Sequence, residues 1–256
     1  MLDAIVQSTR ARVERLAPAT GELRARALDA PPVRSLPAAL GASSLQVIAE
    51  IKRRSPSAGP IAPDIHPQSQ AASYVGGGAA AISVLTEPDF FAGSLDDLRA
   101  VRECVDVPIL RKDFTLHPAQ IWEARAAGAD AVLLILAILS DDDTAMLLET
   151  AAAAGLAALV EAHSIAEVER AVDLGAEIVG VNNRDLTTFA TDLATAEGAA
   201  RYLRSVAITV AESGVSNPEG AHRMAVAGYD AILVGEAAVK ASDPAAFVAS
   251  LRAVGA

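Results

Sequence analysis

"AAGADAVLLIL", residues 126–136, decides the fold. Gly128 closes a helical pattern, an aspartate follows, and then comes a run that is apolar at every position. A strand with one wet face would alternate; a run apolar at both parities suits a strand covered on both sides, as in a parallel sheet under helices. The same figure returns as "VAGYDAILVG" at 226–235. Gly78, Gly128, Gly175 and Gly228 each end a helical pattern before an even-numbered apolar run, at separations of 50, 47 and 53 residues. That period is two strand–helix units.

Working outward from 126–136, eight such runs appear: "LQVIAEI" (45–51), "AAISVL" (80–85), "VPILRKD" (107–113), "DAVLLIL" (130–136), "LAALVEA" (156–162), "AEIVGVN" (176–182), "VAITVAE" (206–212) and "DAILVG" (230–235). The segments between them open at Pro67, Ser94, Pro118, Ser140, Ser164, Asp192 and Pro218, residues that start helices. Eight units without a spacer predict a closed (β/α)8 barrel, a TIM barrel of α/β class. An open doubly wound sheet would need a glycine fingerprint after the first strand, and "EIKRRSPSAG" (50–59) is not G-x-G-x-x-G. Ahead of the barrel, Leu2, Ile5, Val6, Val13 and Leu16 fall at helical spacing and predict a helix over 2–17. A second short helix is expected near 22–29, closed by Pro31 and Pro32. Residues 1–256 thus read as one barrel domain whose first 44 residues form a helical extension.

Composition narrows the function. At 52% hydrophobic and 21% charged, the 256 residues describe a well-filled core. A net charge of −11 without a basic stripe argues against nucleic acid. The lone Cys104 excludes an internal disulfide, suits a reducing compartment, and is expected in a helix core. The N-terminus lacks an apolar signal core, and the longest apolar run, 131–139, is too short to span a bilayer. The expectation is a cytoplasmic protein with no membrane partner; protein partners are not legible.

In a barrel of this kind the active site lies at the carboxyl ends of the strands. Those ends carry Glu50 and Lys52 (strand 1), Lys112 (strand 3), Glu161 (strand 5), Asn182 (strand 6), Glu212 and Ser213 (strand 7), and Gly235 and Glu236 (strand 8). Glu50 shares parity with Ile48, Lys112 with Leu110, Glu161 with Leu159 and Glu212 with Val210. If the apolar partners fill the interior, the charged ones form a ring over it. A single charge at a strand end is usually a solvated boundary residue; four on one parity class point to acid–base chemistry. Glycine loops after strands 7 and 8, "AESGVSNPEG" (211–220) and "LVGEAAV" (233–239), resemble the phosphate pocket of such barrels. Lys52, Arg53, Arg54, Arg111 and Lys112 are expected to make the mouth locally positive. Phe90, Phe91 and Phe114 offer an apolar slot, with loop packing the plainer account. His66, His117, His163 and His222 show no metal-ligand spacing, so no metal is expected; His163 reads as a rim, capping or surface residue.

These residues resemble a known family. "IAEIKRRSPS", "LTEPDFFAGS", "LRKDFTLHPAQIWEARAAGADAVLLI", "LVEAHS", "VGVNNRDLTTFATDL", "VAESGV" and "LVGEA" are similar, in order, to the signatures of indole-3-glycerol-phosphate synthases. The resemblance implies ring closure, decarboxylation and dehydration of 1-(2-carboxyphenylamino)-1-deoxyribulose 5-phosphate to indole-3-glycerol phosphate, a carboxy-lyase step of tryptophan biosynthesis without a cofactor. It implies Lys112 as general acid and Glu161 in the proton transfers of dehydration. Lys52 would contact the substrate carboxylate and is a candidate second acid; the division among these three stays open. Glu50 would position the lysines, and Asn182, Arg184 and Glu212 would orient the substrate. Ser55, Ser213, Gly214, Gly235 and Glu236 would hold the phosphate, and Phe91 and Phe114 the anthranilate ring.

Three positions depart from the family pattern. Ala58 stands where a basic residue is usual, which bears on loop closure. Thr115, Leu116 and His117 replace a more apolar stretch, and "GEAAV" lacks a larger apolar pair. None removes a catalytic group. A phosphoribosyl isomerase would not need the paired lysines, and a non-catalytic barrel would be expected to lose Lys112 or Glu161.

Overall fold

In the computed structural model the eight apolar runs are the eight strands of a closed parallel barrel. They are β1 (Gln46–Ile51), β2 (Ala81–Leu85), β3 (Ile109–Lys112), β4 (Ala131–Ile135), β5 (Ala157–Ala162), β6 (Ile178–Asn182), β7 (Ile208–Glu212) and β8 (Ala231–Val234). Each pairs with the next in chain order, and β8 returns to β1 with Ala231 opposite Gln46. The structure describes residues 1–185 and 188–255; Leu186 and Thr187, in the "VGVNNRDLTTFATDL" stretch, and Ala256 lie outside them.

Strand parity divides the core in two. Ile48, Leu110, Leu159 and Val210 point inward and join one interior cluster with Leu133, Ile178 and Leu233. Their neighbours of opposite parity, such as Val47, Ala49, Val132, Leu134 and Val160, pack outward against the helices. The repeat glycines do what the period requires: Gly78, Gly128, Gly175 and Gly228 all have positive φ, from 72° to 97°, and turn the chain back into the next strand. The aspartates after two of them work at the barrel floor. Asp130 accepts from the backbone N–H of Ile109 and Arg34 and pairs with Arg102, while Asp230 accepts from the N–H and hydroxyl of Thr209.

Helix starts follow the expected chemistry. Ser94, Ser140 and Ser164 each accept from the N–H three residues on, and Pro67, Pro118 and Pro218 occupy first-turn positions. Asp192 stands two residues ahead of its helix, which begins at Ala194, and caps that N–H from outside. The extension contains α1 (Leu2–Leu16) and α2 (Thr20–Leu28), close to their expected bounds. Helix α2 buries Leu23 and Ala27, and the Arg24 guanidinium stacks over Trp122, 5.5 Å from the ring centroid. Cys104 corrects the sequence reading: it sits exposed in the turn after the helix Leu95–Arg102. Among the described residues no helix is long and apolar enough to cross a membrane.

One element had no sequence signal. Helix α3 (Leu36–Leu40), capped by the Ser35 hydroxyl, closes the barrel from below. Leu36 and Leu40 are fully buried in the interior cluster with Ile48, Leu110 and Ile208. Five residues are too few to display a helical period. Truncating this floor should leave a cavity that the barrel cannot collapse into. Leu40→Ala is expected to lower stability by about 2–5 kcal/mol in urea unfolding, and a loss under about 1 kcal/mol would mean that α3 is not part of the core.

Candidate active site

The ring expected from parity forms above the interior cluster. The Lys112 ammonium, at the end of β3, lies 2.6 Å from Glu161 Oε2 on β5 and 2.7 Å from Glu212 Oε2 on β7. At the end of β1, Lys52 Nζ is 2.8 Å from Glu50 Oε1. The three glutamates are almost wholly buried, and both lysines are largely so. Space for the ring is made by a glycine. A Cβ on Gly180, opposite Glu161 on β6, would stand 2.1 Å from Glu212 Oε1.

Sharing one ammonium forces the two carboxylates apart. Burial alone would discharge Lys112, but Glu161, Glu212 and Glu50 outweigh it and hold the ammonium charged beyond the ordinary lysine range. Glu161 is also penalised by burial, yet Lys112 on one side and His163 on the other hold it well below the usual carboxylate range. Among the described residues Glu212 has no such second cation: burial, and repulsion from Glu161, push it up to about 8. The His163 imidazole lies with Nε2 3.2 Å from Glu161 Oε1 and Nδ1 3.5 Å from Glu167 Oε2. Burial opposes its charge, but these two carboxylates raise it to about 10.

The fourteen residues to which the family resemblance assigns a part in catalysis or binding line one cavity of about 510 Å³ at the strand ends. Phe91 and Phe114 form one wall, their ring centroids 6.1 Å apart at 39°. Phe91 is placed by Glu87, whose buried carboxylate accepts from the N–H groups of Asp89, Phe90 and Phe91. Opposite lie Ser55, Ser213, Gly214, Gly235 and Glu236, with Ser213 and Gly214 both in the left-handed region at φ of 62° and 84°. Arg184 crosses between the loops, donating to Ser57 Oγ at 3.3 Å and to the Phe189 carbonyl at 3.0 Å. The Asn182 side chain accepts from the Arg184 N–H.

The structure corrects three expectations. Arg53 turns away to Asp97 and the Ile65 carbonyl, and Arg54 is exposed outside the cavity. Arg111 has the opposite parity to Lys112 and is buried in the outer layer with Asp113, Glu123 and Thr86. Lys52, Lys112, Arg184 and Lys240 line the mouth, interleaved with Glu50, Asp113, Glu161, Glu212 and Glu236, in place of the cationic cluster expected from the sequence. Phe90 is outside the slot. Sequence reasoning also missed the roof. Met1, ahead of α1, and Leu2 and Ile5 of the helix line the cavity, and Arg12 anchors that helix to Asp113, next to Lys112. The apolar stripe of α1 was legible, but not the surface it covers.

An ionisable ring at the carboxyl ends of a closed parallel barrel defines a (β/α)8 enzyme. The comparisons carry this further. Residues 2–251 match the family described as indole-3-glycerol phosphate synthase. The synthase of Streptomyces griseus subsp. griseus is 49% identical over all of this chain and 96% of its own length, and that of Mycobacterium ulcerans 47% over all of this chain and 94% of its own. The chain belongs to the indole-3-glycerol phosphate synthase family. A 3-hexulose-6-phosphate synthase from Salmonella typhimurium shares the fold alone, with a TM-score of 0.68 at 16% identity over 82% of this chain and 98% of that one.

The unequal pair is open to direct measurement. By carboxyl ¹³C NMR one glutamate should titrate near pH 8, and Glu161→Gln should move that titration toward acid, because the repulsion disappears while Lys112 stays. No glutamate titrating above about pH 6 would contradict the arrangement. The sign for stability follows. Between the ordinary 4.5 and about 8 the folded chain holds this proton and the unfolded chain does not, so stability should fall as pH rises. His163 adds to the fall between 6.5 and about 10.

Proposed function

We propose that Lys112, Glu161 and Lys52 divide the acid and base steps of the reaction for which the family is named. The chain is a carbon–carbon lyase of tryptophan biosynthesis, acting on a small phosphorylated substrate. One observation supports the division above others: a single ammonium is shared by two carboxylates of unequal proton affinity.

The substrate phosphate sits against Ser55, Ser213, Gly214, Gly235 and Glu236, with Arg184 beside it. Its anthranilate ring packs on Phe91 and Phe114, and its carboxylate faces Lys52. Glu50, 2.8 Å from its Nζ, aims Lys52, and Asn182 and Glu212 orient the ribulose chain. Lys112 then protonates the ketone oxygen as the ring carbon bearing the carboxylate attacks the ketone carbon. That carboxylate leaves as CO₂, which restores the aromatic ring. The new hydroxyl departs as water with a proton from an ammonium, Lys52 or Lys112. Glu161, kept ionised, takes the proton from the carbon next to nitrogen. Glu212, protonated at neutral pH and 2.7 Å from Lys112, can return a proton to the lysine after it has donated.

Incubating the pure chain with 1-(2-carboxyphenylamino)-1-deoxyribulose 5-phosphate should produce indole fluorescence; a flat trace with bound ligand would leave a binding protein. Lys112→Ala should lower turnover at least about a hundredfold with the fold intact. Glu161→Gln should bind ligand nearly as well by calorimetry while single-turnover rates fall by orders of magnitude, the mark of an interaction made in the transition state. Binding and rate falling together would make Glu161 a ligand-positioning residue. Inorganic phosphate should compete with substrate, and crystals soaked in it should show density within reach of the Gly214 and Gly235 amides.

A further inference from the structure

Glu161 is gripped from two sides. Lys112 holds Oε2 from within the mouth, while His163, two residues further along the chain, faces Oε1 from behind at 3.2 Å. His163 does not line the cavity and its side chain is only 10% exposed. It is held in turn by Glu167, from the helix Ile165–Asp173. One Glu167 oxygen accepts the His163 backbone N–H at 2.7 Å and lies 3.5 Å from Nδ1. The other carboxylate on Lys112 is not backed in this way: among the described residues Lys112 is the one cation within ion-pair distance of Glu212, whose Oε1 lies against Gly180.

We propose that His163 is a positioning residue of the reaction: lying between the Glu161 and Glu167 carboxylates, it makes Glu161 the ionised member of the pair that shares Lys112 and leaves the proton with Glu212. The proposal rests on the reading of Glu161 as the base of dehydration. Two buried carboxylates on one ammonium titrate as a pair, and without a further charge neither has a fixed role. A cation against one of them breaks the symmetry. The charged groups around this unit are few. The imidazole faces Glu161 and Glu167; Glu161 also faces Lys112, with Glu212 and Glu50 acting through that lysine; Arg170 lies beside Glu167 and is itself tied to Asp141. Held charged to about 10, His163 is a constant cation through the neutral range and not a pH switch.

His163→Gln keeps a donor near Glu161 but removes the charge. The acid limb of its kcat profile should move up by about one to three pH units, the shift that a cation this close imposes on a carboxylate. KM should change little, and His163→Arg should keep the limb at the wild-type position. A purely structural residue would lower activity or Tm without moving the limb, so an unmoved limb in a folded His163→Gln overturns the proposal. The unmutated chain gives a second test that needs no variant of His163. By ¹⁵N NMR its imidazole should stay doubly protonated at pH 8, and titrate lower in Glu161→Gln. Titration near the ordinary 6.5 in the unmutated chain overturns the proposal. The NMR result is independent of turnover. If Glu161→Gln keeps full activity, the base reading fails even where His163 is charged; if it loses activity and the His163→Gln limb stays put, the positioning role alone fails.

Discussion

The ammonium of Lys112, held between Glu161 and Glu212, is the interaction on which the upper half of the barrel depends. Three buried ionisable groups from three strands tolerate desolvation because the ammonium sits between the two carboxyl groups. Removing the lysine would leave Glu161 and Glu212 buried without the cation between them. The backbone is built around them: Gly180 leaves the space that the Glu212 carboxylate fills, and a Cβ on Gly235 would stand 2.4 Å from Glu50 Oε1. Below, the same inward parity class is apolar down to Leu36 and Leu40. One face of each odd strand therefore changes from packing to chemistry along its length.

The N-terminal extension serves both ends of this column. Helix α3 closes the floor, and α1 lies at the mouth, where Met1, Leu2 and Ile5 wall the cavity. Its anchor is Arg12, which reaches Asp113; Asp113 also accepts from Thr86 and Arg111 and from the Phe114 N–H. Asp113 lies between Lys112 and Phe114 in sequence. Docking of the extension and placement of Lys112 and Phe114 are thus parts of one hydrogen-bonded network.

Strand count, strand parity and the ionisable ring at the strand ends were legible in the sequence alone, for a physical reason. Period-2 alternation and the helix-ending glycines are local, and in a closed parallel barrel they dictate which side chains face inward and at which end. Partnership was decided only by the tertiary structure. Arg111 and Lys112 are neighbours in sequence with opposite destinations, Arg53 finds Asp97, and Phe90 misses the slot that Phe91 forms. The floor helix was too short to show a period, and the roof depended on where a helix docks. His163 is the sharpest case. In sequence it is one of four histidines without metal-ligand spacing, and its place between two carboxylates exists only because barrel and helix bring Glu161 and Glu167 to either side of it. Proton affinities are set by distances between residues far apart in the chain, and those distances come from closure of the barrel.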